Sequence, residues 1–320
     1  MQHFRSLQDV SLQNSWLTIG VFDGVHRGHQ EILKILTAGA RTDGAPAVVL
    51  TFHPHPAVTL VGRVNLKLLS TPEERADLFA AHGVDVVITH PFDRELADTT
   101  AYDFMVLLKK HLGFTHLVLG YDVALGKGRE GTPARLREIG KGLGFTVEVV
   151  TAVINERLVV SSTAIRRLVG NGNVAEAARL LGHPYSLRGR VIHGDARGRT
   201  MNTPTANIEY APEKLIPANG IYACWAYVGD DASTLRQAQG SALLSAYRAA
   251  VNIGFNPTFT PDKKTANVEA HLLDFDRDIY GQEVKLEFVA RLRDELKFSS
   301  VDALVEQIWV DIARTREILA

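Results

Sequence analysis

The chain has 320 residues, 46% hydrophobic and 22% charged, with a formal net charge of −1. This composition is typical of a globular protein, and the length suits two domains that each bury a core. The near-zero net charge argues against a protein that binds nucleic acid through positive charge. The single cysteine, Cys224, excludes an intrachain disulfide. No apolar run is long enough to span a membrane. We therefore expect a cytoplasmic protein without nucleic-acid or membrane partners.

The first half alternates short apolar runs with amphipathic segments. The apolar runs predict strands at 16–21, 47–52, 84–89, 116–119 and 146–150. Helical periodicity predicts helices at 30–36, 72–82, 101–111 and 133–142. This alternation predicts an α/β domain of the Rossmann-like, doubly wound type, in which ligands bind beyond the carboxyl ends of parallel strands.

The most informative motif lies in the turn between the first predicted strand and helix, Gly20-Val21-Phe22-Asp23-Gly24-Val25-His26-Arg27-Gly28-His29. Unpaired backbone N–H groups at a helix start attract phosphate. His26 and His29 can both donate hydrogen bonds to one phosphate group, and Gly28 leaves room for its approach. The alternatives are two surface histidines without function, or a metal site, although no cysteine or third histidine at ligand spacing completes one. We expect a phosphate site and no transition metal.

Two later segments add groups that suit phosphate. Asp122 follows an apolar strand and precedes a glycine-rich loop that carries Lys127 and Arg129. Further on, Ser162 and Thr163 begin a predicted helix at 163–169 whose first turns contain Arg166. Hydroxyl groups, free N–H groups and a guanidinium at one helix start form an anion site, although an ordinary helix cap has the same sequence.

The complete string from Gly20 to His29 resembles the nucleotidyltransferases with the H-x-G-H signature, in the form found in their FAD synthetase branch. The resemblance implies transfer of AMP from ATP to FMN, which yields FAD and pyrophosphate, with His26 and His29 as catalytic residues. It also implies a set of nucleotide-binding residues in this half: Gly20, Phe22, Asp23, Gly28, Asp122, Lys127, Arg129, Ser162, Thr163 and Arg166.

After a second short predicted helix at 174–181, the pattern changes to alternating strands separated by Gly, Pro and Asn turns. Strands are predicted at 187–193, 206–209, 220–228, 249–253, 267–273 and 283–292. So many short strands hide their edges best in a closed antiparallel β-barrel. An amphipathic helix at 301–319 follows, and we set the domain boundary between residues 184 and 185.

The second half carries its own candidate phosphate loop, from Gly189 to Asn207. Its glycines allow backbone N–H groups to surround phosphate, and arginines at 197 and 199 add positive charge. Thr205 and Asn207 present a hydroxyl and an amide oxygen, which are ligands suited to magnesium. Glu269, on an apolar strand, is a candidate base for a substrate hydroxyl. The alternatives are a plain hairpin turn and a solvent-facing glutamate.

These strings, together with Asn252 to Phe259 and Leu292 to Glu295, resemble bacterial riboflavin kinase. The two halves in this order resemble the bifunctional riboflavin kinase/FAD synthetase family. The resemblance implies phosphorylation of riboflavin to FMN by MgATP, with Glu269 as catalytic base and Thr205 and Asn207 at the metal. The residues implied to bind nucleotide are Gly189, Gly194, Gly198, Arg199, Thr205 and Asn207, and those implied to bind flavin are Asn252 and Arg293.

The expected ligands are therefore riboflavin, FMN, FAD and ATP with Mg²⁺, bound by a monomer or a weak homo-oligomer. Family members commonly read Gly-Phe before Pro-Thr-Ala-Asn, whereas this chain has Asn202 and Thr203. Three alternatives stay open: an FMN adenylyltransferase with a kinase-inactive flavin-binding barrel, an H-x-G-H transferase for another substrate, and a non-catalytic flavin-binding or regulatory protein.

Overall fold

The computed structural model of the chain describes residues 1–155, 158–194, 203–229, 246–254 and 266–320. By contacts between residues, the chain forms two compact units, Met1–Ser162 and Thr163–Ala320. Within the described ranges, no helix is long and apolar enough to cross a membrane. The domain boundary after residue 184 stays a prediction.

The first unit is built on a six-stranded sheet in which every strand pair is parallel. Its strand order is β1-β4-β3-β2-β5-β6. The strands are β1 (Gln2–Phe4), β2 (Ser15–Ile19), β3 (Ala47–His53), β4 (Val86–Pro91), β5 (Phe114–Gly120) and β6 (Thr146–Val150). A two-stranded hairpin, β7 (Ile154–Asn155) with β8 (Leu158–Val159), follows the sheet. The predicted α/β architecture is confirmed.

Helices cover this sheet, and their apolar sides form its two core layers. They are α1 (Arg27–Thr42), α2 (Pro56–Val61), α3 (Pro72–Ala81), α4 (Arg94–Asp98), α5 (Ala101–Leu112) and α6 (Pro133–Leu143). Leu33 and Leu36 of α1 are fully buried, which holds the start of α1 at the carboxyl end of β2. The sequence did not predict α2, α4 or β1.

The second unit is a closed barrel of six antiparallel strands. The strands are β9 (Tyr185–Ile192), β10 (Ala206–Tyr210), β11 (Gly220–Gly229), β12 (Ala246–Gly254), β13 (Asn267–Leu272) and β14 (Glu283–Arg293). Their order around the barrel is β10-β13-β12-β11-β14-β9, and pairing of β9 with β10 closes it. Among the described residues, the other helices are α7 (Ser162–Gly170), α8 (Val174–Leu181) and α9 (Val301–Ile318). The predicted barrel and terminal helix are confirmed.

Candidate active sites

The turn between β2 and α1 has an unusual backbone. Phe22, Gly24 and Val25 have positive φ angles of 52°, 80° and 41°. Positive φ is rare for a β-branched residue such as Val25, so the surrounding structure must hold this conformation. Before the turn, the N–H of Gly20 donates to the carbonyl of Leu50, 3.1 Å away. The turn is therefore a fixed element that ends at the N-terminus of a 16-residue helix.

The two histidines lie together at that N-terminus. Their rings stack with centroids 3.6 Å apart and an interplanar angle of 16°. His26 is the N-cap of α1, and its Nδ1 accepts the backbone N–H of His29 at 3.4 Å. Because Nδ1 of His26 acts as an acceptor, the proton of the neutral ring lies on Nε2. His26 can therefore donate one hydrogen bond from Nε2.

His29 is held in its neutral form. Its Nδ1 is buried and has no hydrogen-bond partner in the described part of the chain. Burial lowers the pKa of His29 well below the ordinary histidine value, and the neighbouring His26 and Arg75 lower it further. Phe22 packs edge-on against the ring at a centroid distance of 5.1 Å. The site therefore presents two stacked imidazoles beside the free N–H groups of a helix start.

Gly28 lies between the histidines, where space is tight. A Cβ atom at this position would come within 3.2 Å of Cε1 and 3.3 Å of Nδ1 of His26. The glycine therefore leaves the His26 ring in place as well as exposing the backbone.

Asp23 fastens the turn to a neighbouring loop. Its Oδ2 accepts the N–H of Leu69 and its Oδ1 accepts the N–H of Ser70, each at 3.0 Å. In return, the N–H of Gly24 donates to Oγ of Ser70 at 2.9 Å. The Asp23 carboxylate thus has a clear role in the fold, and its contact with nucleotide stays a prediction.

The start of α7 meets the same turn. Oγ of Ser162 donates to the carbonyl of Asp23 at 2.9 Å, across 139 residues of sequence. Thr163 and Arg166 follow in the first turns of α7. The fold therefore brings the first residue of the predicted Ser-Thr-Arg anion site to the histidine turn.

The basic loop after β5 has different partners. Nζ of Lys127 lies 3.3 Å from Oδ1 of Asp98, and its N–H donates to the carbonyl of Thr99. Arg129 donates through Nη2 to the carbonyl of the exposed Asp122 at 3.4 Å. In the part of the chain that the structure describes, the hydrogen bonds of these two cations go to these residues and not to the histidine turn.

A second cluster forms on the outer surface of the barrel. Glu269 of β13 lies directly opposite Asn207 of β10 on one side and Asn252 of β12 on the other. Directly paired residues project to the same face of a sheet, so these three side chains form one row. All three are half-buried, and Nδ2 of Asn267 donates to Oε1 of Glu269 at 2.8 Å. The barrel thus joins a carboxylate and two amides that are far apart in sequence.

A cavity of about 460 Å³ is lined in part by Thr205, two residues before Asn207, and by none of the three residues of the row. Its other lining residues include Pro204, Phe275, Arg277 and Tyr280. The ring of His271 donates to the carbonyl of Pro204 at 2.8 Å, which fixes the segment just before Thr205. No site residue is predicted from the sequence at positions 276–280. The sequence feature that could have indicated this part of the cavity wall is a run of acidic, aromatic and basic residues directly after a strand.

The predicted phosphate loop is described only in part. A Cβ atom on Gly194 would lie 2.0 Å from Nδ2 of Asn207, so a side chain there would displace the Asn207 amide. Gly189 lies within β9, where a Cβ atom would come within 2.1 Å of the carbonyl oxygen of Glu209. Gly198, Arg199, Arg197 and Asn202 lie outside the described residues.

Arg293, predicted to bind flavin, forms a buried ion pair with α9. Its Nε and Nη2 donate to the carboxylate of Asp311, with the shortest contact at 2.7 Å. Nη1 donates to the carbonyl of Asp294. This geometry gives Arg293 a structural role at the end of β14, and its contact with flavin stays a prediction.

Comparisons with known proteins separate the same two regions. Residues 8–164 match the family model described as FAD synthetase, and residues 181–319 match the one described as riboflavin kinase. Proteins named bifunctional riboflavin kinase/FMN adenylyltransferase match almost the whole chain. The one from Listeria monocytogenes is 36% identical over 308 residues, covering 96% of this chain and 93% of its own. The one from Escherichia coli K12 is 35% identical over 314 residues, covering 98% and 95%.

A solved structure supports the fold over the same length. It is described as a macrolide-efflux protein from Streptococcus pneumoniae, is 33% identical in sequence, and has a TM-score of 0.85. The likeness covers 98% of both chains, so both units of the present chain have a counterpart in it.

Proposed function

We propose residue roles for this chain, which belongs to the bifunctional riboflavin kinase/FMN adenylyltransferase family. It phosphorylates riboflavin to FMN and transfers AMP from ATP to FMN to form FAD. Family models match both halves of the chain. We therefore assign both activities to the chain, in place of the three alternatives that the sequence left open. The roles below assign one activity to each half.

Adenylyl transfer takes place at the β2–α1 turn. An oxygen of the FMN phosphate attacks the α-phosphorus of ATP, and the bond to the β-phosphate oxygen breaks to release pyrophosphate. This reaction needs alignment and stabilisation of charge on the reacting phosphorus rather than a covalent enzyme intermediate. His26 and His29 donate hydrogen bonds to the α-phosphate oxygens, assisted by the N–H groups at the start of α1.

The leaving pyrophosphate needs a separate group of donors. We assign it to the hydroxyls of Ser162 and Thr163, the free N–H groups at the start of α7 and the guanidinium of Arg166. The hydrogen bond from Ser162 to the carbonyl of Asp23 supports this assignment for Ser162, because it brings that hydroxyl to the histidine turn. Asp122, Lys127 and Arg129 add a polar and basic loop at the carboxyl end of β5 for the same nucleotide.

Riboflavin phosphorylation takes place on the barrel. The ribityl 5′-hydroxyl attacks the γ-phosphorus of ATP, and the carboxylate of Glu269 accepts the hydroxyl proton. The bond from the γ-phosphorus to the oxygen shared with the β-phosphate breaks, which releases ADP and leaves the phosphate on FMN. Asn252, opposite Glu269, faces the flavin substrate together with Arg293. The cavity beside Thr205 has the size of a ligand pocket and combines aromatic and charged walls, which suits a nucleotide.

Mg²⁺ fits the donors offered by Thr205 and Asn207. A hydroxyl and an amide oxygen are hard ligands, and phosphate oxygens and water complete the coordination that Mg²⁺ requires. When bound, the ion neutralises the charge of the ATP phosphates. Gly194 contributes by leaving the Asn207 amide unobstructed.

Each proposed set of residues lies within a single chain. A monomer is therefore sufficient for both reactions, and we place both in the cytoplasm, where riboflavin phosphate esters are retained by their charge.

The stacked pair of imidazoles at the start of α1 carries this assignment. The variant His29→Ala tests it, with FMN and FAD separated by HPLC in reactions started from riboflavin or from FMN. We expect a loss of FAD formation of about a hundredfold to a thousandfold, as for removal of a donor to a charged transition state. FMN formation from riboflavin stays near normal. Equal loss of both activities in a folded variant would contradict the assignment.

A further inference from the structure

We infer that Arg75 is a positioning residue for adenylyl transfer, because its guanidinium holds the β2–α1 turn in place from inside the protein. The inference rests on the proposed role of His26 and His29. It adds a buried cation that acts on both histidines through the backbone of the turn.

Arg75 is almost entirely buried, with 1% of its surface exposed. Nη1 donates to the carbonyl of Val21 at 2.5 Å and to Oγ1 of Thr51 at 3.0 Å. Oγ1 of Thr51 in turn donates to the same Val21 carbonyl at 3.0 Å. Val21 thus receives two hydrogen bonds immediately before the residues of positive φ. The backbone is fixed at the point where it leaves the sheet.

The same guanidinium also reaches the loop that Asp23 binds. Nη2 of Arg75 donates to the carbonyl of Ser70 at 3.4 Å, while the N–H and Oγ of Ser70 donate to Asp23. Arg75 therefore binds the backbone carbonyl of Ser70, and Asp23 binds its backbone N–H. The turn, the loop and α3 form one connected hydrogen-bond network.

The position of Arg75 is an unfavourable one for a positive charge. It lies in the first turns of α3, which begins at Pro72 after a Thr71–Glu74 capping box. The partial positive charge at a helix N-terminus repels a cation there, and burial of a charge adds a further cost. Three oxygen acceptors compensate for these costs, and all three belong to the turn or its neighbouring segments.

The buried charge has a second effect, on the protonation of His29. In the described part of the chain, the charged or titratable neighbours that lower the pKa of His29 are His26 from the start of α1 and Arg75 from α3, after the larger effect of burial. A positive neighbour disfavours the imidazolium, so Arg75 helps to keep the ring neutral. A ring proton on Nδ1 would also lie buried without a partner in the described part of the chain. The neutral ring, with its proton on Nε2, is the form that can donate outward.

The test compares four variants of the full chain. Arg75→Met removes both the hydrogen bonds and the charge, Arg75→Lys keeps the charge, and Thr51→Val removes a hydrogen bond to Val21 without changing charge. Arg5→Met is the matched control, because Arg5 pairs with Glu73 at the exposed side of the same helix start. For each variant, FAD formation from FMN, FMN formation from riboflavin and the NMR titration of the His29 ring are measured.

We expect Arg75→Met to reduce FAD formation by about tenfold to a hundredfold, as for displacement of catalytic groups by about 1 Å. FMN formation stays unchanged, and the pKa of His29 rises because a positive neighbour is lost. Arg75→Lys and Thr51→Val lower the rate less and leave the pKa of His29 nearly unchanged. These two variants separate the effects, because both keep the positive charge and change only the hydrogen bonds to the turn. Arg5→Met changes none of the three quantities.

A wild-type rate of FAD formation in Arg75→Met would overturn the inference, as would an unchanged pKa of His29 in that variant. If Arg75→Met loses both activities by unfolding, Arg75→Lys and Thr51→Val decide, and wild-type FAD formation in both overturns it. Failure of the proposed function has a different signature, since His29→Ala would then retain FAD formation whatever Arg75 does.

Discussion

Glu269 lies directly across from Asn207 in the pairing of β13 with β10. The base proposed for riboflavin phosphorylation is therefore next to a residue proposed to bind magnesium. Asn252 completes the row from β12. In this arrangement, the riboflavin hydroxyl that donates its proton to Glu269 lies beside the ATP phosphate that it attacks. The register of the barrel strands therefore determines the geometry of the proposed kinase reaction.

Replacement of the proposed base leads to the first prediction. Glu269→Gln keeps the shape of the side chain and its contact with Asn267 but cannot accept a proton. We expect FMN formation to fall by about a hundredfold to ten-thousandfold, the range typical of general-base catalysis. FAD formation from FMN stays normal. Glu209→Gln, an exposed position on β10, is the control, and an active Glu269→Gln kinase would exclude Glu269 as the base.

Gly194 provides a second test of the barrel site. In Gly194→Ala the new Cβ would overlap Nδ2 of Asn207, 2.0 Å away, and must displace that amide. We expect a lower kcat for FMN formation and a half-maximal rate at a higher magnesium concentration, with FAD formation unaffected. Gly142→Ala is the matched control because nothing lies within 4 Å of its Cβ position. A normal kinase in Gly194→Ala would show that the Asn207 amide can move freely.

The pKa of His29 gives a prediction about pH. An ordinary histidine titrates near pH 6.5, but burial, His26 and Arg75 lower the pKa of His29 in the folded protein. As the pH falls below about 6.5, the His29 ring takes up a proton in the unfolded chain but stays neutral in the folded chain. The free energy of unfolding therefore decreases below this pH.

NMR titration of the histidine rings, with His29→Ala used for assignment, measures this value directly. We expect the His29 signal to titrate below all values typical of exposed histidines. Titration at or above pH 6.5 would show that His29 is not held neutral.

The Arg293–Asp311 ion pair should stabilise the barrel. Both side chains are largely buried, with 17% and 8% of their surfaces exposed. Asp311→Ala leaves the guanidinium buried without its carboxylate, which costs about 3–5 kcal/mol in comparable buried pairs. We expect FMN formation to be lost at lower urea concentration while FAD formation persists. Glu306 is exposed on the same helix, so the control Glu306→Ala should have little effect. If Asp311→Ala resisted urea as well as the wild-type protein does, a stabilising role of the ion pair would be contradicted.

Local patterns were sufficient to predict most of the fold. The periodicity of α1 and the apolar runs of β3 and β5 reflect burial against one sheet, so they appear directly in the sequence. β1, α2 and α4 have only three, six and five residues. Such short segments contain too few repeats for a period to emerge, and β1 is stable only because it pairs with β4.

The sites could be predicted as residue types but not as arrangements. His26 and His29 are three positions apart in one turn, whereas the row through Glu269 depends on the register of three strands. Arg75 carried no signal, because a cation beside Glu73 and Glu74 has the sequence of an exposed helix start. Only the fold shows that its side chain points inward to Val21.

One time course tests most directly whether two separate sites in one chain carry the two reactions. His29→Ala, Glu269→Gln and an equal mixture of both variants are each incubated with riboflavin, ATP and magnesium, and flavins are separated by HPLC. We expect His29→Ala to accumulate FMN, Glu269→Gln to leave riboflavin unchanged, and the mixture to form FAD from FMN released by the first variant. FAD formation from riboflavin by either variant alone, at the wild-type rate, would contradict the assignment of one reaction to each site.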